Sequence, residues 1–429
     1  MKLNIRNFSC IKDVEFEVKD FNVIIGPQAS GKSLISKILY FFNTLKLDQT
    51  ESIKSLKSFE TYSDEVKEKF IKWFPISAWG SEIFNIKFDA GDYKITIIRV
   101  SHNGRISNTL KMIFSQSIKD THRIGSDLYR KLEKKYREEE NEDDFFEKVQ
   151  LERYADRQIN SISRKSLSDN YIDVLTYIPA GRSFFTNLGK ALLAFEQTNL
   201  LDPVSVDFGK LYTSFIQNFN LLQRKINRGT VSFISSIIGG EIVFEKGSFY
   251  VKYEDGRKIP FSNLSSGQQE LMPLLMAFSS ISPTNNSPQS IESRNYLTFI
   301  EEPEAHLFPD AQSRIIEGFS KYIQSSAYNR RKIIITTHSP YVLSKINNLL
   351  KAGSLYKEFR KNKEKIELLN QTIPRATSIN PARFTANALI NGKFVKIIDN
   401  YGLIDAEYLD EVSNEINSEF ARLLELEFE

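Results

Sequence analysis

The sequence predicts an α/β fold: a mixed sheet with flanking helices, a charged and mainly helical insertion, and a small C-terminal hairpin-plus-helix extension. Three observations predict it. A short apolar run, "FNVIIG" at 21–26, ends in glycine and leads into a helical pattern from Lys32 to about Leu45. Two continuous apolar runs, "YLTFI" at 296–300 and "KIIITT" at 332–337, read as strands buried on both faces of a parallel sheet. Between these features the composition shifts, and 123–165 is dense in Lys, Arg and Glu.

Taken in order, "LNIRNF" and "VEFEV" alternate with the period of strands before the glycine turn. Residues 84–114 read as three strands, "FNIKF", "YKITIIRV" and "TLKMIFS", divided by Gly91-Asp92 and Asn103-Gly104. The charged stretch 123–165 reads as a solvated helical insertion; its acids interleave with its bases, unlike a nucleic-acid stripe. "VLTYIPAGR" at 174–182 is a buried strand ending in a turn, and 186–237 is mostly helical. "EIVFEKGSFYVKYEDGRKIPF" is a hairpin. The tail offers a hairpin over 383–398 around Asn391-Gly392, then a helix from Asp405 with Leu409, Val412, Ile416, Phe420 and Leu424 on one face. The expected units are therefore 1–120, the first part of a head; 121–237, the insertion, from which strand 174–182 returns to the head; 238–350, the rest of the head; and 351–429, the extension.

Bulk properties narrow the function. The 429 residues are too many for one small domain and suit one elaborated one, with 41% hydrophobic residues to build a core. A net charge of +3, from 57 basic and 54 acidic residues, is not that of a constitutive nucleic-acid binder, although it leaves room for a local basic face. Cys10 is the single cysteine, so neither an internal disulfide nor a cysteine-based metal site is expected. "MKLNIRNFSC" has no apolar signal core and no later run reaches membrane-spanning length, so a cytoplasmic protein is expected.

"GPQASGKS" at 26–33 fits G-x-x-x-x-G-K-[ST] between a strand and a helix, the context that the phosphate-binding loop requires. Gly26, Pro27, Gln28, Ala29, Ser30, Gly31, Lys32 and Ser33 form it. Backbone N–H groups from Ala29 to Ser33 would cradle phosphates, Lys32 would reach the terminal phosphates, and the Ser33 hydroxyl would ligate Mg2+. "YLTFIEEPEAHLFP" sets two acids directly after an apolar strand, where they repel each other. An acidic solvated loop explains them poorly, because the strand delivers them to the sheet edge where α/β folds place ligands. A metal and a water nucleophile give them roles: Glu301 for Mg2+, directly or through its water, and Glu302 to polarise the attacking water. Glu304 fits a surface role equally well. "IIITTHSP" puts His338 beyond another strand; alone, a histidine is more often structural, but beside the other motifs it suits contact with a γ-phosphate. His306 reads as a loop residue shaping the site, while His102 and His122 have no identifiable partners.

"LSSGQQELMPLLMAF" at 264–278 begins a buried helix with more small polar residues than capping needs. Ser265, Ser266 and Gly267 leave the helix start nearly bare, ready for an anion, with Gln268 following in the same stretch.

In this order, phosphate loop, "LSSGQ", strand-Glu-Glu and strand-His resemble the ABC-type ATPases, in their SMC/RecF/OLD branch rather than the transporters. "EEPEAHLF" is similar to their Walker B and D-loop segment, with Glu301 where most carry Asp; its wording is typical of OLD-like ATPases of prokaryotic defence systems. The resemblance covers most of 1–346. It implies a P-loop ATPase head that binds ATP and Mg2+ and closes as a homodimer or higher homo-oligomer. The signature of one copy, Ser265 to Gln268, would cap the γ-phosphate held by the other. Two departures stand out. Ser9 follows "NF" where related N-termini often carry Arg. There is no evident Q-loop glutamine, and the "YIPAGR" strand end with Arg182 is the candidate for that place.

Several functions remain after the resemblance. A transporter subunit is disfavoured by the long separation of Lys32 from Ser265, filled by the charged insertion. A TOPRIM nuclease would need a domain after the His338 strand; Asp399, Asp405 and Asp410 lie there without an Asp-x-Asp pair, so no intrinsic nuclease is expected. A DNA-repair ATPase of the SMC/RecF kind is the alternative, with DNA binding neither shown nor excluded. The reading carried forward is a stand-alone ATPase switch controlling a separate protein effector, as in the PARIS, Septu and retron-associated defence systems.

Overall fold

The computed structural model describes residues 1–102, 104–138, 145–188, 201–218, 228–245, 248–281, 294–324 and 330–405, with 418, 419 and 422. The helix expected after Asp405 lies outside the described residues except for those three.

The strands are β1 (Lys2–Phe8), β2 (Ile11–Glu17), β3 (Phe21–Ile25), β4 (Asn85–Ala90), β5 (Tyr93–His102), β6 (Arg105–Phe114), β7 (Val174–Ile178), β8 (Glu241–Glu245), β9 (Ser248–Lys252), β10 (Lys258–Pro260), β11 (Asn295–Glu301), β12 (Arg330–Thr337), β13 (Phe384–Ile390) and β14 (Lys393–Lys396). The helices are α1 (Lys32–Lys54), α2 (Phe59–Trp73), α3 (Gln116–Glu138), α4 (Phe145–Leu167), α5 (Ser183–Leu188), α6 (Pro203–Gln217), α7 (Arg228–Ile238), α8 (Ser266–Ile281), α9 (Pro309–Gln324), α10 (Pro340–Glu358) and α11 (Lys363–Thr372).

One sheet of eleven strands runs β6-β5-β4-β1-β2-β14-β13-β3-β12-β11-β7, and β10-β9-β8 form a second, small sheet. The half from β13 to β7 is parallel, and the half from β6 to β2 is antiparallel. This is the mixed sheet the sequence predicts. Strand alternation assigns β3 to two cores: Phe21, Val23 and Ile25 pack on one face with α8, α9 and α10, and Ile24 on the other with α1 and α2. β12 divides likewise, Ile333 and Ile335 against Ile334. A strand covered on both faces must be apolar at every position, which is why these runs are unbroken.

Three features differ from the sequence reading. The tail hairpin is β13 and β14, but it does not stand apart in an extension after residue 350. β13 pairs in parallel with β3, Phe384 opposite Phe21 through Ala388 opposite Ile25, so the tail hairpin completes the centre of the sheet.

Helix α1 runs to Lys54, well past Leu45. The polar-looking end is retained because Gln49, Ser52 and Ile53 are buried, and the Gln49 side chain donates to the Ile118 carbonyl at 2.7 Å. The helix then stops with Leu56 at φ 50° and a bond from Lys57 N to Ser52 O of 3.0 Å, a Schellman closure made without glycine.

The charged insertion is a pair of helices, α3 and α4, whose root is not solvated. Ile118, His122, Ala155 and Ile159 are buried there. A Cβ at Gly125 would come within 2.9 Å of Ile53, so α3 lies directly on α1. His122 stacks on Tyr62 and bonds the Lys57 carbonyl at 3.0 Å, which makes it a core residue. The arm therefore belongs to the head at its base.

Candidate nucleotide-binding site

β3 delivers the chain to Gly26 at the C-terminal edge of the parallel half. Gly26 has φ 151°, and a Cβ there would lie 2.7 Å from the Leu389 carbonyl oxygen of β13. Gly31 has φ 108°, and its Cβ would lie 2.7 Å from Cys10 Sγ. Both positions need glycine for dihedral and space alike. Ala29 is also left-handed, at φ 59°. The turn opens α1 with Gly31 as N-cap, no side-chain cap and no acid in the first turn. Its N–H groups and partial positive charge are thus left for an anion. Lys32 folds back over the loop, its Nζ donating to the carbonyls of Gly26 at 2.9 Å and Pro27 at 2.8 Å. Burial pushes the Lys32 pKa down, opposed by the nearby charges of Glu302, Glu304 and Glu301. Pro27, Gln28 and Ala29 are exposed on the loop, and Ser30 and Ser33 are half-buried.

The neighbouring strand ends bring the acids. β12 lies between β3 and β11, in parallel register, with Glu301 opposite Thr336. Glu301 is only 6% exposed, and each carboxylate oxygen accepts one bond: Oε1 from the Tyr177 hydroxyl at 2.7 Å, Oε2 from the Ala180 N–H at 3.1 Å. Burial and the Glu301 charge hold the Tyr177 hydroxyl well above its ordinary pKa. Glu302 turns out of the strand at φ 41°, a conformation costing about 1–3 kcal/mol for a non-glycine residue. Its carboxylate Oε1 lies 3.5 Å from His338 Nε2, both side chains being about one-third exposed. Glu304 is bound within this edge rather than placed on the surface. Its Oε1 accepts from the Thr337 hydroxyl at 2.7 Å and from the His338 N–H at 2.8 Å, fixing the turn that carries His338.

The structure also reassigns Arg182. It is fully buried, and its guanidinium donates to the carbonyls of Pro179, Glu301, Glu302 and Glu270, at 3.1, 2.6, 3.1 and 3.2 Å. With those donors used, it ties strand ends together and does not stand where a Q-loop glutamine would face nucleotide. The Glu270 carboxylate, 3.6 Å from Arg182 Nε, also accepts from the N–H groups of Arg182 and Ser183 and from the Ser183 hydroxyl. Burial pushes the Arg182 pKa down, countered first by Glu270. Sequence reasoning missed Glu270 and Tyr177. The available signals were an acid inside the buried run "QELMPLL" and the tyrosine two residues before "PAGR".

The start of α8 resolves into two kinds of residue. Ser265 caps the helix: its Oγ accepts from Gln268 N at 3.4 Å, and Gln268 Oε1 accepts from Ser265 N and Oγ at 3.4 and 3.2 Å, a loose capping box. Gln268 Nε2 turns inward to the Ile238 carbonyl and the Tyr253 hydroxyl, so this side chain braces the helix and is not free for nucleotide. Ser265 and Ser266 are exposed. Gly267 lies against the loop after Glu302, where a Cβ would come within 2.5 Å of the His306 carbonyl. His306, at φ 60°, does shape this edge. α8 packs most closely on α5, α6, α7 and β7.

Among the described residues no cluster of three or more His, Cys, Asp or Glu forms a metal cage. Mg2+ suits this donor set as part of MgATP, since it keeps waters and takes phosphate oxygens with few protein ligands. Ser33 at the start of α1 would be such a ligand, and each Glu301 oxygen has a lone pair left for a metal-bound water.

A strand, glycine loop and helix, with acids at the end of the next strand but one in the parallel sheet, define a P-loop nucleotide-binding protein. Residues 1–343 match the model of the AAA ATPase domain family, and the chain belongs to that family. Solved structures similar to it include the SMC head domain from Thermotoga maritima, at 14% identity and TM-score 0.36, covering 92% of this chain and 97% of that one. Another is an SMC head bound to the C-winged helix domain of ScpA, at 13% identity and TM-score 0.41, with coverage of 92% and 97%. An SMC head with a coiled coil and joint from Pyrococcus yayanosii matches at 10% identity and TM-score 0.41, with coverage of 96% and 99%. Curated proteins yield no match by sequence. Among the described residues no helix is long and apolar enough to cross a membrane.

Proposed function

We propose that this chain binds MgATP on the loop 26–33, hydrolyses it with Glu302 and His338, and uses the nucleotide state to control a separate protein effector. The observation that carries the reading is the 3.5 Å approach of His338 Nε2 to Glu302 Oε1 beside the Lys32 loop. Glu302 accepts the proton of the attacking water, and His338 donates towards the γ-phosphate. Lys32 leaves the Gly26 and Pro27 carbonyls for the phosphates.

The second step is association of two copies. Phe308, 84% exposed, and Tyr341, 55% exposed, follow directly on the Glu302 and His338 segments, so large aromatic side chains face outward beside the catalytic pair. Aromatic residues are enriched in the buried centres of interfaces. The exposed Ser265 and Ser266 then supply a helix N-terminus to the partner's γ-phosphate. The arm of α3 and α4 is the element we assign to the effector, because its base rests on α1 and can follow the loop. The defence setting rests on the likeness of "EEPEAHLF" to OLD-like ATPases.

The experiment is a comparison of Lys32→Ala with Glu302→Gln by fluorescent-nucleotide binding and phosphate release. Lys32→Ala should lose binding. Glu302→Gln should bind and lose about 10²–10⁴ in rate, the usual worth of a positioned base. Wild-type turnover by Glu302→Gln would remove Glu302 from the reaction.

A further inference from the structure

A cavity of about 540 Å³ lies at the opposite end of the central strands. Lys357, Arg360, Arg375 and Arg383 line it, against Asp20 as the single acid. Its floor is buried: Phe21 at the start of β3, Ser320 of α9, Tyr356 of α10, and Ser378 with Ile379. β3 and β13 both begin here and both end at the loop of 26–31, where Gly26 meets Leu389. The cavity is thus separated from the loop by a strand of five residues, about 16 Å, and does not overlap it.

Lys357, Arg360 and Arg375 are exposed and stand at its rim. Gly353, Lys357 and Arg360 stand on one face of α10 and its continuation, at the helical spacing of four and three. Gly353 lets the segment 375–383 press onto that face, since a Cβ would lie 1.9 Å from the Ile379 carbonyl. Tyr356 anchors the chain just before that segment through a bond of 2.8 Å to the Ile373 carbonyl, and the Arg375 guanidinium lies 5.7 Å from the Tyr356 ring centre. Arg383 is paired with Asp20 at 2.6 Å. Lys357, Arg360 and Arg375 have no carboxylate partner among the described residues. Three unneutralised cations around a concave, partly apolar floor raise the local potential far above that of a chain with a net charge of only +3.

We propose that this cavity is a second ligand site, which binds a small anion carrying several phosphate charges. The volume is that of a small-molecule pocket. Three cations of two geometries, two forks and one point charge, suit the oxygens of linked phosphates better than one carboxylate. A nucleic-acid face would instead be a basic stripe running across the surface.

The test is titration calorimetry of the full chain carrying Lys32→Ala, with inorganic tripolyphosphate at low salt. Without Lys32 the measurement does not depend on ATP chemistry at the loop, so failure here and failure of the ATPase reading are separable. One tripolyphosphate should bind per chain, at least tenfold more weakly once Lys357→Gln and Arg360→Gln are added. Lys351→Gln, an exposed position on the same helix, should change nothing. Absence of binding, or equal binding by the double variant, overturns the site. Affinity that keeps growing with the length of a single-stranded oligonucleotide overturns the small-ligand assignment, as does preference for an acidic peptide over tripolyphosphate.

Discussion

The Arg182 guanidinium donates to the main-chain carbonyl of Glu301 at 2.6 Å, inside the protein and out of contact with solvent. The same side chain reaches the Glu302 carbonyl and the Glu270 carboxylate. One residue therefore sets the peptide that aims both site glutamates and fastens it to α8, which Ser265 caps. Any shift of α8 must be felt at Glu302 through this clamp.

Arg182→Ala should destabilise the fold by about 3–5 kcal/mol, because it leaves the Glu270 carboxylate buried without its cation. Arg182→Lys keeps the charge but cannot serve four carbonyls and a carboxylate at once. It should fold, bind nucleotide, and release phosphate more slowly than wild type. Urea denaturation and phosphate release measure the two effects, and unchanged turnover in Arg182→Lys would show that the clamp does not aim Glu302.

Gly267→Ala should separate the start of α8 from the His306 loop. The added Cβ would sit 2.5 Å from a backbone oxygen, which no side-chain rotation can relieve. Overpacking of this kind costs about 1–3 kcal/mol. Exposed Ser266→Ala next to it should cost little. Thermal denaturation of the pair decides the matter, and equal melting would mean that the loop moves freely.

A mixing experiment tests assembly of the site from two copies. Ser265→Arg should leave nucleotide binding on the chain's own loop nearly intact and stop closure of the dimer. In a heterodimer with Lys32→Ala, both defects fall on one composite site and the other keeps a normal Lys32 facing a normal Ser265. Each parent should be inactive and the mixture partly active. Hydrolysis by Ser265→Arg alone at the wild-type rate would end the two-copy reading.

Lys46 gives the fold a pH dependence away from the site. Its Nζ donates to the Ile172 carbonyl at 2.7 Å and lies 3.7 Å from the Tyr171 ring centre. Burial pushes its pKa down from 10.5 to about 8, with Asp173 opposing. Between those values the unfolded chain holds more protons than the folded one, so this residue's contribution to stability rises with pH across that window. Against Lys46→Met, wild type should gain relative stability from about pH 8 to pH 10.5. Denaturation midpoints of the two proteins that stay parallel over this range would refute it.

Local patterns in the chain encode the order of its parts: strand, glycine loop and helix from 21 to about 45, acids after β11, histidine after β12. These are written in short-range patterns, because burial on both faces demands unbroken apolar strands, and a left-handed turn without room for a Cβ demands Gly26 and Gly31. That order also brings Lys32, Glu302 and His338 to one edge, since parallel strands present their ends together. Which groups are free to act there depends on contacts between distant parts of the chain. Gln268 spends its polar atoms on Ser265, Ile238 and Tyr253, and Arg182 spends its donors on carbonyls, although both stand in motif-like stretches. Glu304, which reads equally well as a surface acid, holds His338. The placement of β13 beside β3, the length of α1 and the buried root of the arm were likewise settled by partners far away in the chain. Periodicity records that a face is covered, and the identity of what covers it depends on long-range pairing that no local pattern contains.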